Sequence, residues 1–169
     1  IAAAARAHLT VFAVGQWLAS NVSLGRQIAA EGHELGNHTW SHQPMTTLSP
    51  TAAQVEIQRG ADAVTAVLGS PGLLFRPSGT PSSTPAIRAA ARTVGYPRCV
   101  SYDVDPLDYQ DPGADAVRGR TLAAVTAGSI VSLHLGHQGT IDALPGILAG
   151  LAARNLTAVT VTALLGHAS

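Results

Sequence analysis

The chain has 169 residues, 46% of them hydrophobic and 12% charged, and ten Lys plus Arg balance ten Asp plus Glu. A chain of this length can bury roughly 70% of its unfolded surface as one domain, and a charged fraction well under the usual ~25% excludes charge-driven disorder. The even balance without a basic run excludes the electrostatic footprint of a nucleic-acid partner, and the lone Cys99 excludes an intrachain disulfide or a cysteine-rich zinc site.

Apolar and polar periodicity predicts alternating strands and helices. Thr10–Val14 is rich in strand formers, and the apolar spacing of 20–31 suits a helix capped by Ser20 or Asn21. Residues 32–36 read as a short strand leading to the polar loop 37–48. Ser49-Pro50-Thr51 then opens a helix to about Leu68, closed by Gly69. Leu73–Arg76 reads as a strand, 85–94 as a helix, 99–104 as a strand and 114–127 as a helix. A strand over 129–134, a helix over 141–153 and a strand over 157–161 complete about six βα repeats before a short last helix. Such alternation implies a parallel sheet with right-handed crossovers, either doubly wound or closed into a barrel. His38, Arg76, Asp105 and His134 all fall at or just past the C-terminal ends of expected strands, which favours the barrel, where that face carries the active site. No stretch approaches the ~18 apolar residues of a membrane span. The opening Ile-Ala-Ala-Ala-Ala-Arg has no Met and no secretion-type leader, so a longer parent protein is expected.

Four short motifs carry candidate chemistry. His38-Thr39-Trp40-Ser41-His42 sets two imidazoles four positions apart, on one side of a helical turn, where they could share one metal ion; alone, the pair reads equally as incidental, and Trp40 as a packing aromatic. Arg76-Pro77-Ser78-Gly79 ends a strand on a residue able to orient a carboxylate. Gly79 would let a backbone N–H approach a reacting oxygen, although the bland reading is a surface Arg before a turn. Asp103, Asp105 and Asp108 cluster before Tyr109, as mutually perturbed carboxylates or as a cap in a solvated loop. Ser132-Leu133-His134 ends a β-branched strand on a histidine suited to general-acid work or to plain packing. His33 falls on a strand pattern and reads as packing, and His137 stands near enough to His134 to touch substrate. His8 and His167 carry no motif.

In combination and order, these motifs resemble the polysaccharide deacetylase family, the NodB-homology domains of carbohydrate esterase family 4, from Thr10–Val14 through the last strand. The resemblance implies a distorted (β/α) barrel in one catalytic domain over 1–169, and hydrolysis of N- or O-acetyl groups on peptidoglycan, chitin-type chains or acetylxylan. It implies His38 and His42 as ligands of a divalent metal, usually zinc with cobalt as an alternative, and Arg76 as the residue holding the catalytic base. Gly79 would donate an oxyanion N–H, Asp105 would orient His134 as general acid, and Tyr109 and Leu133 would contact substrate. It also implies a place outside the cytoplasm. The family's first motif, Thr-Phe-Asp-Asp-Gly-Pro, has no counterpart here. It is expected before residue 1, on a segment that would complete the barrel with its first strand and supply the catalytic base and a third metal ligand, so residues 1–169 alone are expected to have little or no deacetylase activity. The competing reading is a non-catalytic, carbohydrate- or metal-binding relative.

Overall fold

The computed structural model describes residues 1–166. The chain divides into two compact units: Thr10–Ser101, and Ile1–Leu9 together with the segment from Tyr102 onward.

The first unit holds a parallel sheet in the order β1-β2-β3-β4, formed by β1 (Thr10–Ala13), β2 (Glu34–Asn37), β3 (Leu74–Phe75) and β4 (Arg98–Cys99). Register pairs Ala13 with Asn37, Asn37 with Phe75, and Phe75 with Cys99, so the strands end in step. The ladder runs one residue further, with the His38 amide donating to Ala13 O and the Arg76 amide to Asn37 O. His38 and Arg76 therefore leave neighbouring strands at the carboxyl edge, where open parallel sheets bind ligands.

The expected 20–31 helix is α2 (Val22–Ala30), and a short helix that was not expected, α1 (Gly15–Ser20), precedes it. Asn21 sits between them at φ −136°, ψ 42°, outside the helical region, and its side-chain amide donates to Trp17 O. Helix α3 (Pro50–Leu68) begins and ends as expected: the Ser49 hydroxyl accepts from the Ala52 amide, Pro50 opens the first turn, and Gly69 closes it in a left-handed conformation. Thr84 caps α4 (Pro85–Val94) in the same way. Ile57, Ala61, Phe75, Ala91 and Tyr96 fill one core, and Leu18, Leu35 and Val64 another.

The second unit is built on α5 (Ala114–Ala124) and α6 (Gln138–Ala153), packed around Val104, Val117, Ala143 and Ile147. The strands expected over 99–104 and 129–134 reduce here to one parallel bridge, Val104 to Val131. Asp103 explains the irregularity: its carboxylate takes the Ile130 amide and the Ser129 hydroxyl, and Ile130 O accepts from both Asp103 and Val104. Residues 157–160 form no ladder strand and lead directly into α7 (Val161–Gly166). His167 lies outside the described residues.

Candidate active site

In the first unit the site begins with the segment His38–His42. A helical turn was expected there. Instead Thr39 and His42 adopt left-handed backbone at φ 66° and 61°, and this loop brings the two imidazoles to 4.9 Å between ring centroids, edge to face. Non-glycine residues in this region carry strain that the surroundings must offset. Three supports do so. The first two amides of α1 donate outward, Gly15 to Thr39 O at 2.8 Å and Gln16 to Trp40 O at 2.9 Å. The buried Asn37 side chain accepts from the Thr39 amide and donates to Ile57 O. The third is Glu56 on α3.

The Glu56 carboxylate accepts the amides of Trp40 (3.2 Å) and Ser41 (2.9 Å) and the Ser41 hydroxyl (2.9 Å), and only 8% of the residue is exposed. Sequence reasoning missed it. The signal was a carboxylate inside the buried stripe of α3, among Ala53, Ile57, Gly60 and Val64. Arg59, on the same helix, stacks its guanidinium 4.1 Å from the Trp40 ring, so Trp40 is held on its face as well as at its amide.

His38 Nδ1 lies 2.8 Å from Arg76 O. Since a carbonyl only accepts, Nδ1 carries the proton and Nε2 the lone pair, the arrangement that prepares an imidazole for a metal. The Arg76 main chain thus orients His38. Beyond it, Ser78 is fully buried, donates to Gln43 O and accepts from the Thr39 hydroxyl, which joins the two loops. Gly79 sits at φ 67°, where a Cβ would come within 2.8 Å of Pro44 Cα, so both conformation and space require glycine.

In the second unit the polar cluster surrounds Asp108, whose side chain is fully buried. Its Oδ1 accepts from His134 Nδ1 at 2.8 Å, and its Oδ2 from the His134 amide at 2.6 Å and the Thr140 hydroxyl at 2.7 Å. Burial alone pushes this carboxyl up, but the His134 amide, the Thr140 hydroxyl and the His134 ring outweigh it and hold it below the usual carboxylate range. The expected pairing of Asp105 with His134 is therefore corrected to Asp108. Asp105 precedes a proline, which favours extended backbone, and its Oδ1 is taken by the Leu107 amide in a local turn. Tyr109 is 44% exposed and meets the His134 ring edge to face at 5.2 Å. Leu133 packs against the Val104–Val117 core.

Among the described residues no group of three or more His, Cys, Asp or Glu is gathered to hold a metal ion. What the chain offers is two imidazoles of suitable chemistry, one with its tautomer set by a carbonyl, and these fit a borderline-soft divalent ion as part of a ligand set.

The sequence model of the polysaccharide deacetylase family matches residues 1–98. The peptidoglycan-N-acetylglucosamine deacetylase of Bacillus cereus is 32% identical over 166 residues, 96% of this chain and 77% of that protein. A chitooligosaccharide deacetylase of Bradyrhizobium is 32% identical over 134 residues, 78% of this chain and 60% of that one. Among solved structures, the peptidoglycan deacetylase PdaC of Bacillus subtilis superposes with a TM-score of 0.89 at 25% identity, covering 98% of this chain and 79% of that chain. Of two curated relatives it matches, the chain spans 48% and 60% of the length. With its α/β fold shared over nearly the whole chain and its sequence matched over more than half, the protein belongs to the polysaccharide deacetylase family.

Proposed function

We propose that the protein removes acetyl groups from an amino-sugar polymer of the peptidoglycan or chitin type by hydrolysis, with His134 as the proton donor. The observation that carries the reading is the Asp108–His134 pair: a buried carboxylate held ionised by three donors, with its imidazole partly open to solvent. Hydrolysis of an N-acetyl group adds water at the carbonyl carbon and breaks the C–N bond. The departing nitrogen must gain a proton. Asp108 accepts Nδ1–H of His134, so the group that delivers that proton is Nε2–H of the doubly protonated ring, which is left neutral after the transfer.

His38 and His42 are the residues that would hold a divalent ion, zinc or cobalt. Such an ion supplies Lewis acidity and a water of lowered pKa. The protein's own part there is orientation: Arg76 O fixes His38, while Glu56, Asn37 and the first amides of α1 fix the loop between the two imidazoles. An oxyanion N–H from Gly79, a base-holding role for the Arg76 side chain and acetyl contacts from Tyr109 and Leu133 follow from the family resemblance and belong to the same proposal. The names of the peptidoglycan-deacetylating relatives support a cell-wall polymer as substrate, and hence action outside the cytoplasm. Among the described residues no helix is long and apolar enough to cross a membrane.

The test is acetate release from N-acetylglucosamine oligomers by the protein with added zinc or cobalt. His134→Ala is expected to lower kcat by about 10²–10⁴-fold. A full rate in that variant would assign the proton donor elsewhere.

A further inference from the structure

Beside the first carboxylate–imidazole pair stands a second that the proposed reaction does not use. Asp108 and Asp111 lie three positions apart across one 3-10 turn (Asp108–Gln110), and His134 and His137 lie three positions apart on the facing segment. Each carboxylate takes the Nδ1 of its own partner, Asp108 to His134 at 2.8 Å and Asp111 to His137 at 2.7 Å, so the two pairs run in parallel. The rings of His134 and His137 are 6.5 Å apart between centroids, and Tyr109 closes on His134 from the turn itself. Leu107 and Asp111, which bracket the turn, are both left-handed at φ 58° and 52°. Two strained non-glycine residues at one short turn mark a geometry that the fold maintains against its local cost.

The pairs differ in exposure. Asp108 is sealed, whereas the Asp111 side chain is 68% exposed and that of His137 31%. The buried pair suits a proton donor. The open pair, with the half-exposed Tyr109 ring and the exposed Leu135 nearby in the chain, suits recognition of a hydroxyl-rich ligand. Because Asp111 accepts the Nδ1 proton, His137 keeps Nε2 for a ligand, and Asp111 retains Oδ2 as an acceptor. The pair thus carries two polar atoms, a match for two neighbouring hydroxyls on one sugar ring.

We propose that Asp111 and His137 form a subsite for a sugar unit adjacent to the one that loses its acetyl group, binding two free hydroxyls while the exposed Tyr109 face packs against the ring. The proposal rests on the glycan reading above and adds to it a determinant of chain length. A monosaccharide cannot fill both places, so the pair should favour longer oligomers.

The probe is N-acetylglucosamine tetramer, titrated calorimetrically into the protein and into His137→Ala, Asp111→Asn and the double variant, with the monosaccharide in parallel. Loss of hydrogen bonds of ordinary strength is expected to weaken tetramer binding about 3- to 10-fold in each single variant and to leave monosaccharide binding unchanged. The double variant should lose no more than about one single variant does, since the two side chains act as one unit. Asp142→Asn, on the exposed face of α6, should bind as the wild type. Equal tetramer affinity in all proteins, or a wild type that does not bind the tetramer at millimolar concentration, overturns the subsite. Acetate release measured on the same samples separates the two readings. Release with an unchanged KM in the variants keeps the deacetylase and removes the subsite; variant-sensitive binding without release keeps the subsite and removes the deacetylase.

Discussion

Asp108 and His134 are joined twice, through the imidazole and through the backbone amide, so a single buried carboxylate sets both the ring orientation and the path of the chain that carries it. Thr140, in the first turn of α6, supplies the third donor and ties that helix to the same oxygen atom. Asp108→Asn puts an amide N–H₂ against these donors. It is expected to cost about 3 kcal/mol in urea unfolding and to lower deacetylation by about 10²–10⁴-fold. Asp105→Asn keeps an acceptor for the Leu107 amide and should change stability by under about 0.5 kcal/mol. Equal losses in the two variants would contradict the assignment of Asp108.

The lowered carboxyl of Asp108 makes part of the stability depend on pH. The folded form holds the group ionised below the unfolded value of about 3.9. Its contribution is therefore fully present above that value and is lost as pH falls from there through the folded pKa. The stability gap between wild type and Asp108→Asn should narrow as pH falls below about 4. Urea midpoints measured from pH 5 to 3 check this, and a gap that widened over that range would reverse the sign of the shift.

Ser49, Pro50 and Gly69 announced the ends of α3 because capping depends on a residue's own side chain and its immediate neighbours. Partner choice among Asp103, Asp105 and Asp108 was not legible in the same way. All three stand within six residues, and what separates them is which backbone amide each finds: Ile130 for Asp103, Leu107 for Asp105 and His134 for Asp108. Asn21 was legible as the start of α2, whereas the six-residue α1 before it is too short to show a helical period. The His38–His42 spacing correctly brought two imidazoles together, but through a loop with two left-handed residues, a geometry that only the surrounding supports explain.

His38 and His42 should bind one divalent ion with modest affinity, because two protein ligands fall short of the usual three or four. Zinc titration of the wild type against His38→Ala and His42→Ala is expected to show clear loss in both variants. Identical binding in all three would remove these residues from the metal site.

Glu56 reaches neither imidazole in any hydrogen bond named above, yet it holds the two residues before His42. Glu56→Ala leaves three donors without their acceptor and is expected to cost about 2–4 kcal/mol. Supporting residues around a metal commonly change affinity by about 10- to 100-fold, and zinc competition with a chromophoric chelator should show a loss of that order in the folded variant. Unchanged zinc affinity alongside lowered stability would confine Glu56 to folding.

Gly60 tests the same support from the helix side. A Cβ there would lie 2.2 Å from Asn37 Oδ1 and 3.0 Å from the Thr39 carbonyl carbon. Asn37 is fully buried, and its amide group spans from Ile57 O to the Thr39 amide, so it has no low-cost route of retreat. Helix propensity favours alanine over glycine by about 1 kcal/mol, which sets the two effects in opposition at this position. The steric effect should win. Displacing Asn37 strips two buried hydrogen bonds and releases Thr39 from its left-handed conformation, for a net cost of about 2–4 kcal/mol. Because Thr39 follows His38 directly, zinc affinity should fall with it. Gly119→Ala, in the middle of α5 where an added Cβ meets nothing within 4 Å, is the control and should be neutral or slightly stabilising. Paired urea curves and zinc titrations for the two alanine variants check the argument, and a Gly60→Ala protein as stable as Gly119→Ala would show that Asn37 does not brace the loop.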